Sequence, residues 1–324
     1  MSRVLVAVVL AAGCGSSPPA TDPDGAPGDD STLPGDATSA TCGRRGGARG
    51  VSDRAATVAG LDRTYRVYLP AGADPTAPLP LVIVAHGYTM SGAKMDEITE
   101  YAALADSEGI AIAFPDGQGG PDSLGAPWNV GSGLCPSTGG APPNAPGDDF
   151  ALLDHIKADV DEDQCIDRDH VFVTGFSMGG YFSHQVGCMR SDIRAVAPHS
   201  GGTHDLAGCT EAKKPIIIFH GSADPLIPAG CADPHAVGVF NVTPSADAWA
   251  THNGCTLTTT SRAVQNGTCY HYEGCPADAQ VELCTFAGMG HCWAGGAASA
   301  GIYSCPSNEK ATQLEWQFFK QYAW

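Results

Sequence analysis

Basic side chains are scarce: 17 Lys and Arg stand against 35 Asp and Glu, a formal charge of −18. A surface that acidic repels nucleic-acid phosphates and anionic lipid, so neither is expected as a partner. No apolar run approaches the roughly 18–20 residues that a membrane-crossing helix needs; the run near the start covers only residues 4–12. No segment repeats at a fixed period, which excludes solenoids and propellers. Among the 13 cysteines there is no Cys-x-x-Cys, and no compact pair of ligand doublets appears, so no metal site is expected. What 324 residues do allow is one large α/β domain with a deep core, or at most two small ones.

The N-terminus reads as an export signal. Arg3 precedes the apolar run, which ends in Leu10-Ala11-Ala12-Gly13-Cys14, a sequence that resembles a bacterial lipobox with Ala11 where Leu is commoner. Residues 1–14 are thus expected to be a lipoprotein-type signal, cleaved before Cys14 with lipid on its thiol. An ordinary secretory signal cleaved near the same place is the alternative, and either one delivers the chain to the cell envelope or beyond. Residues 15–50, rich in Pro, Gly and Asp, are expected to be a disordered tether, and 51–324 the folded domain. Setting Cys14 aside leaves twelve cysteines, from Cys42 to Cys305, an even number that suits six disulfides in an oxidising compartment. Their pairing is not readable from order alone.

Within the domain, residues 64–69 alternate as a first strand, while 81–85 and 110–114 are continuously apolar, as in strands buried on both faces. Residues 171–174, 195–197, 215–219 and 281–286 read as further strands, and 93–107, 148–161, 245–252 and 309–322 as helices. Strands alternating with helices predict an α/β fold, a mainly parallel sheet with helices on both faces. The series Asp159-x-Asp161-x-Asp163 lacks the glycine and closing glutamate of a calcium loop and reads as a solvated helix end. Residues 116–147 form a long Gly- and Pro-rich connection carrying Trp128 and Asn129, expected to lie over a functional site.

The chemistry centres on Val171-Phe172-Val173-Thr174-Gly175-Phe176-Ser177-Met178-Gly179-Gly180. A β-branched and aromatic run passes through Gly-x-Ser-x-Gly into a helix-compatible segment, the pattern of a nucleophile elbow that exposes the Ser177 hydroxyl above a sheet. With 41 glycines in the chain the pentapeptide alone says little, and the strand before it carries the weight. A serine needs a base to take its proton, and the base needs an acid to fix its tautomer. Asp224 lies in the loop after strand 215–219 and is preferred to Asp233, which is farther from the strand. His291, in the small-residue turn Gly288-Met289-Gly290-His291, is the expected base. His155, His184, His252 and His271 fall on predicted helices or strands, and His199 is a candidate to line the pocket. The order Ser177, Asp224, His291 is that of α/β-hydrolases. Backbone donors for a developing oxyanion are expected at Met178 and, after His86-Gly87, at Tyr88. Trp128, Tyr88 and Trp293 are candidates for an aromatic wall, with ordinary core packing as the competing reading.

These segments, together with Gly147-Asp148-Asp149, Leu153-Asp154, residues 165–175, Trp249, Asn253-Gly254-Cys255 and Gly290-His291-Cys292-Trp293, resemble the secreted polyhydroxybutyrate-depolymerase-like and feruloyl-esterase-like group of carbohydrate esterase family one. The resemblance runs from about Arg66 to the end of the chain. It implies an α/β-hydrolase fold with Ser177 as nucleophile, Asp224 as orienting acid, His291 as base, donors at Tyr88 and Met178, and a Cys255–Cys275 pair. Two departures stand beside the site: Ala294 where many relatives have proline, and more cysteines than is usual among bacterial relatives.

The expectation is an exported serine esterase that needs no metal or organic cofactor. Feruloyl or acetyl esters of plant polysaccharide are preferred, because the loop with Trp128 could build an aryl pocket and no separate polymer-adsorbing domain is seen. A poly(3-hydroxybutyrate) or related polyester depolymerase is the alternative, and a peptidase is disfavoured for want of a propeller or lid domain. A non-catalytic surface-binding lipoprotein on a hydrolase scaffold is the reading from another class; a complete set of three catalytic residues argues against it. Membrane contact is expected only through the N-terminal lipid, and oligomeric state is left open.

Overall fold

The computed structural model describes residues 42–117, 128–130, 149–203, 206, 209, 213–227, 243–297, 305 and 308–323, all inside the unit 38–324. Along these the chain forms β1 (Gly50–Val58), β2 (Leu61–Leu69), β3 (Leu79–Ala85), α1 (Gly92–Thr99), α2 (Tyr101–Glu108), β4 (Ala111–Pro115), α3 (Asp149–Asp163) and β5 (Ile166–Phe176). There follow α4 (Met178–Met189), β6 (Ala195–His199), β7 (Ile216–Gly221), α5 (Thr243–Asn253), β8 (Thr259–Val264), β9 (Gly267–Tyr272), β10 (Val281–Phe286) and α6 (Ala311–Phe319). The strands share one sheet in the order β1-β2-β4-β3-β5-β6-β7-β10-β9-β8. From β4 to β10 the neighbours are parallel, and antiparallel pairings make up both edges.

Side chains two apart along a strand point to the same face, and the parallel strands bury both faces. Ile83, Val173 and Ile218 pack with Leu152, Phe182 and Trp249 of α3, α4 and α5 on one side. Val82, Phe172 and Ile217 pack with Met95, Tyr101, Trp316 and Phe319 of α1, α2 and α6 on the other. The α/β sheet with helices on both faces is therefore as expected. At the start of β3 the pairing with β5 shifts register between Leu79 and Leu81, where Pro80 has no N–H to give to a ladder.

Several element boundaries differ from the sequence expectation. β1 precedes the strand taken as first; up to the buried Val58 its residues alternate between half-buried and exposed, so it offers no apolar run. The β8–β9 hairpin was not expected either, and β8 is almost wholly exposed. The single helix predicted over 93–107 breaks at Glu100, whose φ of 55° is left-handed. That break turns Tyr101 inward, where its hydroxyl donates to Glu315 of α6 at 2.7 Å.

Residues 42–49, assigned to the tether, are bound to the domain. Cys42 is disulfide-bonded to Cys165, and the N–H groups of Gly43 and Arg45 donate to the carbonyls of Asp161 and Glu162 at the end of α3, each at 2.7 Å. The acidic series there is not a solvated helix end. Asp161 and Asp163 are buried, Arg54 bridges Asp159 at 2.6 Å and Asp163 at 2.7 Å, Arg45 pairs with the same two, and Arg168 holds Asp161 at 2.7 Å. The signal segment with Cys14, most of the 116–147 connection, Asp148, Asp233, Cys135 and Cys231 lie outside the described residues. No described helix is long and apolar enough to cross a membrane.

Candidate active site

β5 delivers the chain to Ser177 and α4 leaves it. Ser177 has φ 56° and ψ −113°, a conformation that costs a residue with a side chain on the order of 1–3 kcal/mol and persists only where the surroundings enforce it. They do: the Ser177 N–H donates to His199 O at 2.9 Å, and Ser177 O accepts from Tyr181 at 3.1 Å. A β-carbon on Gly179 would run into Ala85 O, and one on Gly180 would stand 2.7 Å from His199 O, so only glycine lets α4 sit this close to β3 and β6. The elbow read from the sequence is thus built as expected.

Asp224 and His291 come together at the ends of β7 and β10. Asp224 Oδ2 accepts from His291 Nδ1 at 2.7 Å, while Oδ1 accepts from the backbone of Leu226 at 2.9 Å and Ile227 at 3.0 Å. Burial pushes the Asp224 carboxyl up, but the hydrogen bond from His291 and the neighbouring histidines outweigh it and hold the group below its ordinary value. An ionised carboxylate only accepts, so His291 carries its proton on Nδ1 and proton exchange falls to Nε2. The His291 ring lies 4.8 Å, centroid to centroid, from Phe176, the residue before Ser177.

Two buried histidines that the sequence reading passed over or placed differently support this pair. His220 Nε2 stands 3.5 Å from Asp224 Oδ2 and 2.9 Å from Ile227 O, closing the loop that bears the acid. His199 was a candidate pocket residue, yet it is fully buried, stacked 4.6 Å from Trp293, with Nε2 accepting from the Ala294 N–H at 2.9 Å. Burial pushes its pKa well down. A proline at 294 would have no N–H to give, so the Ala294 departure beside the site has a hydrogen-bonding use.

The aromatic-wall candidates divide. Trp128 and Trp293 are each 1 % exposed and Tyr88 is 53 % exposed. Trp128 stacks on Phe182 at 4.8 Å, donates Nε1–H to His86 O at 2.7 Å and lies against Met178 through its N–H, 3.3 Å from Sδ. Trp293 donates to Thr312 at 3.2 Å. The two tryptophans are packing beneath and behind the site and offer no ring face to solvent. Tyr88 sits on the turn after β3, which approaches the elbow so closely that a β-carbon on Gly87 would stand 3.2 Å from Ser177 Cβ. Its N–H has no hydrogen-bond partner among the described residues. Met178 opens α4, where the first N–H groups have no intrahelical acceptor.

Five disulfides join described cysteines: Cys42–Cys165, Cys188–Cys209, Cys255–Cys275, Cys269–Cys284 and Cys292–Cys305. The Cys255–Cys275 pair is the one the resemblance implied. Cys292–Cys305 anchors the residue next to His291. Among the described residues a grouping with metal-ligand spacing is Cys269, Glu282 and Cys284, but its two sulfurs are bonded to each other.

A model of the Dienelactone hydrolase family matches residues 144–236. Feruloyl esterase B of Piromyces equi is 27 % identical over 274 residues, which are 81 % of this chain and 45 % of that protein. Feruloyl esterase C of Emericella nidulans is 32 % identical over 173 residues, 51 % of this chain and 56 % of that one. This chain therefore spans about half the length of these relatives. Among solved structures, an acetyl xylan esterase from Aspergillus awamori superposes with a TM-score of 0.58 over 83 % of this chain and 99 % of its own, at 16 % identity, a match that speaks to fold.

Proposed function

We propose that this α/β hydrolase, similar to feruloyl esterases and acetyl xylan esterases, is an exported serine esterase. The observation that carries the proposal is the buried Asp224–His291 hydrogen bond of 2.7 Å beside an elbow that holds Ser177 at φ 56°. In this reading His291 Nε2 takes the Ser177 proton as Oγ bonds to the ester carbonyl carbon. The carbonyl oxygen becomes an oxyanion facing the Met178 and Tyr88 N–H groups at the positive end of α4. Collapse breaks the bond to the alcohol, which leaves with the proton from His291. Water then gives a proton to Nε2, attacks the acyl-enzyme and releases the acid, and Ser177 recovers its proton. Asp224 keeps His291 in the one tautomer that serves both halves.

The substrates we assign are feruloyl or acetyl esters of plant polysaccharide. Supporting this are the feruloyl esterase relatives, the acetyl xylan esterase fold, and the exposure of Tyr88 and Leu226 on the oxyanion turn and two residues after Asp224. Of the aromatic wall expected from Trp128, Tyr88 and Trp293, Tyr88 would keep the contact with an aryl group, joined by Leu226. The disulfides fit an oxidising compartment, and lipidation at Cys14 would tether the enzyme to the envelope.

Turnover of methyl ferulate, acetylated xylan, 4-nitrophenyl butyrate and poly(3-hydroxybutyrate) by the oxidised chain, beside Ser177→Ala, tests this. Hydrolysis of the first two, abolished in the variant, is expected. A folded wild-type chain inert on every ester would overturn the catalytic reading, and preference for the polyester would overturn the substrate assignment.

A further inference from the structure

The oxyanion turn holds a buried imidazole that takes no part in the proton transfers above. His86, at the end of β3, is fully buried. Its Nδ1 lies 2.7 Å from Gly87 O, and its Nε2 accepts the Gly117 N–H at 2.8 Å. A carbonyl can only accept and an amide N–H can only donate, so these contacts select one neutral tautomer, with the proton on Nδ1. Burial acts in the same direction, lowering the His86 pKa and disfavouring its charged form. Gly87 O accepts a second hydrogen bond, from the Met90 N–H at 3.0 Å. The His86 backbone is clamped in turn by the Trp128 indole, 2.7 Å from its carbonyl.

Resting on the serine-esterase reading, we propose that His86 is a positioning residue that aims the Tyr88 N–H at the oxyanion by holding the carbonyl of the same peptide on the opposite side. No described residue has a cis peptide bond, and in a trans peptide the C=O of Gly87 and the N–H of Tyr88 point in opposite directions. Fixing one therefore fixes the other. The constraint matters because Gly87 has no side chain to bias its backbone. Were that peptide to turn over, a carbonyl oxygen would replace an N–H beside Ser177 and repel the negative charge the hole must stabilise. The same contacts run through Gly117 and Trp128, which bracket the start and end of residues 118–127. Gly117 thus meets the His86 imidazole and Trp128 the carbonyl of the same residue.

The test compares His86→Phe, which keeps an aromatic ring but no donor, with His86→Asn, whose amide nitrogen can stand where Nδ1 stands. Expected for His86→Phe is a kcat on 4-nitrophenyl acetate lower by roughly 10²-fold, about the effect of losing one oxyanion donor. KM should stay within about two-fold, and affinity for phenylboronic acid, which forms a tetrahedral adduct on serine, should fall in parallel with kcat. His86→Asn should recover about ten-fold or more of the loss. A folded His86→Phe with wild-type kcat, or an Asn variant no better than Phe, would overturn the proposal. Should the variants not fold, nitrogen NMR of the wild type still decides: the Nδ1–H tautomer of His86 should persist from about pH 5 to 8, and an Nε2–H tautomer would refute it. Turnover surviving in Ser177→Ala would instead remove the esterase reading on which the proposal stands.

Discussion

Asp224 does three things with two oxygens. It accepts from His291, fixes its own loop through the N–H groups of Leu226 and Ile227, and stays ionised although fully buried. Replacing it with asparagine keeps the shape but offers an N–H where His291 Nδ1 needs an acceptor, which favours the wrong tautomer. Asp224→Asn is expected to lower kcat by roughly 10⁴-fold with little change in KM; steady-state kinetics at neutral pH checks this, and a loss confined to KM would contradict the role. The residues proposed to carry the chemistry were legible because such chemistry restricts them to particular types at strand ends in a particular order. The aromatic residues were not. Trp128 and Trp293 look alike in the sequence, and only the path of the loops decides whether an indole faces substrate or, as here, Phe182 and His199. The role of His86 was hidden for a similar reason: His-Gly marks a turn, but the tautomer depends on Gly117, 31 residues away.

At the level of elements, α6 meets β5 through a buried acid. Glu315 accepts from the Tyr101 hydroxyl at 2.7 Å and lies 3.1 Å from Thr174 Oγ1. Thr174 Oγ1 is also 2.6 Å from Ala197 O, so its one hydroxyl proton is shared between that carbonyl and Glu315. Burial pushes this carboxyl from 4.5 up to about 8, against the lowering effect of the Tyr101 and Thr174 hydrogen bonds. The folded state then binds a proton that the unfolded state releases. Stability from this group is complete below about pH 4.5, declines as pH rises, and is lost by about pH 8. The slope is at most about 1.4 kcal/mol per pH unit. Glu315→Gln should remove this slope, so that urea unfolding shows the variant gaining on the wild type between pH 5 and 8 (values about 1 unit apart); parallel pH profiles would contradict it. Elements buried on both faces, such as β3 and β4, were readable as unbroken apolar runs. β1 and β8 were not, because edge strands facing water keep polar residues and owe their strand form to the neighbour they pair with.

The whole molecule combines an acidic surface with covalent staples at its sheet edges and beside its site. Cys42–Cys165 closes 123 residues, removing much of the freedom the unfolded chain would otherwise have. It also carries the domain back beyond residue 51. This boundary was missed because Cys42 is surrounded by glycines and arginines with nothing apolar to mark it, and its partners, the carboxylates of Asp159 and Asp163 on Arg45 among them, lie over a hundred residues on. In the proposed function these features serve the placing of one hydroxyl, that of Ser177. A fluorophosphonate, losing fluoride as phosphorus bonds to an activated serine oxygen, measures that directly by peptide mass spectrometry. A single adduct on the peptide containing Ser177, absent from Ser177→Ala, which has also lost methyl ferulate turnover, is the result this account predicts. An adduct only on another serine, or full turnover in Ser177→Ala, would contradict it.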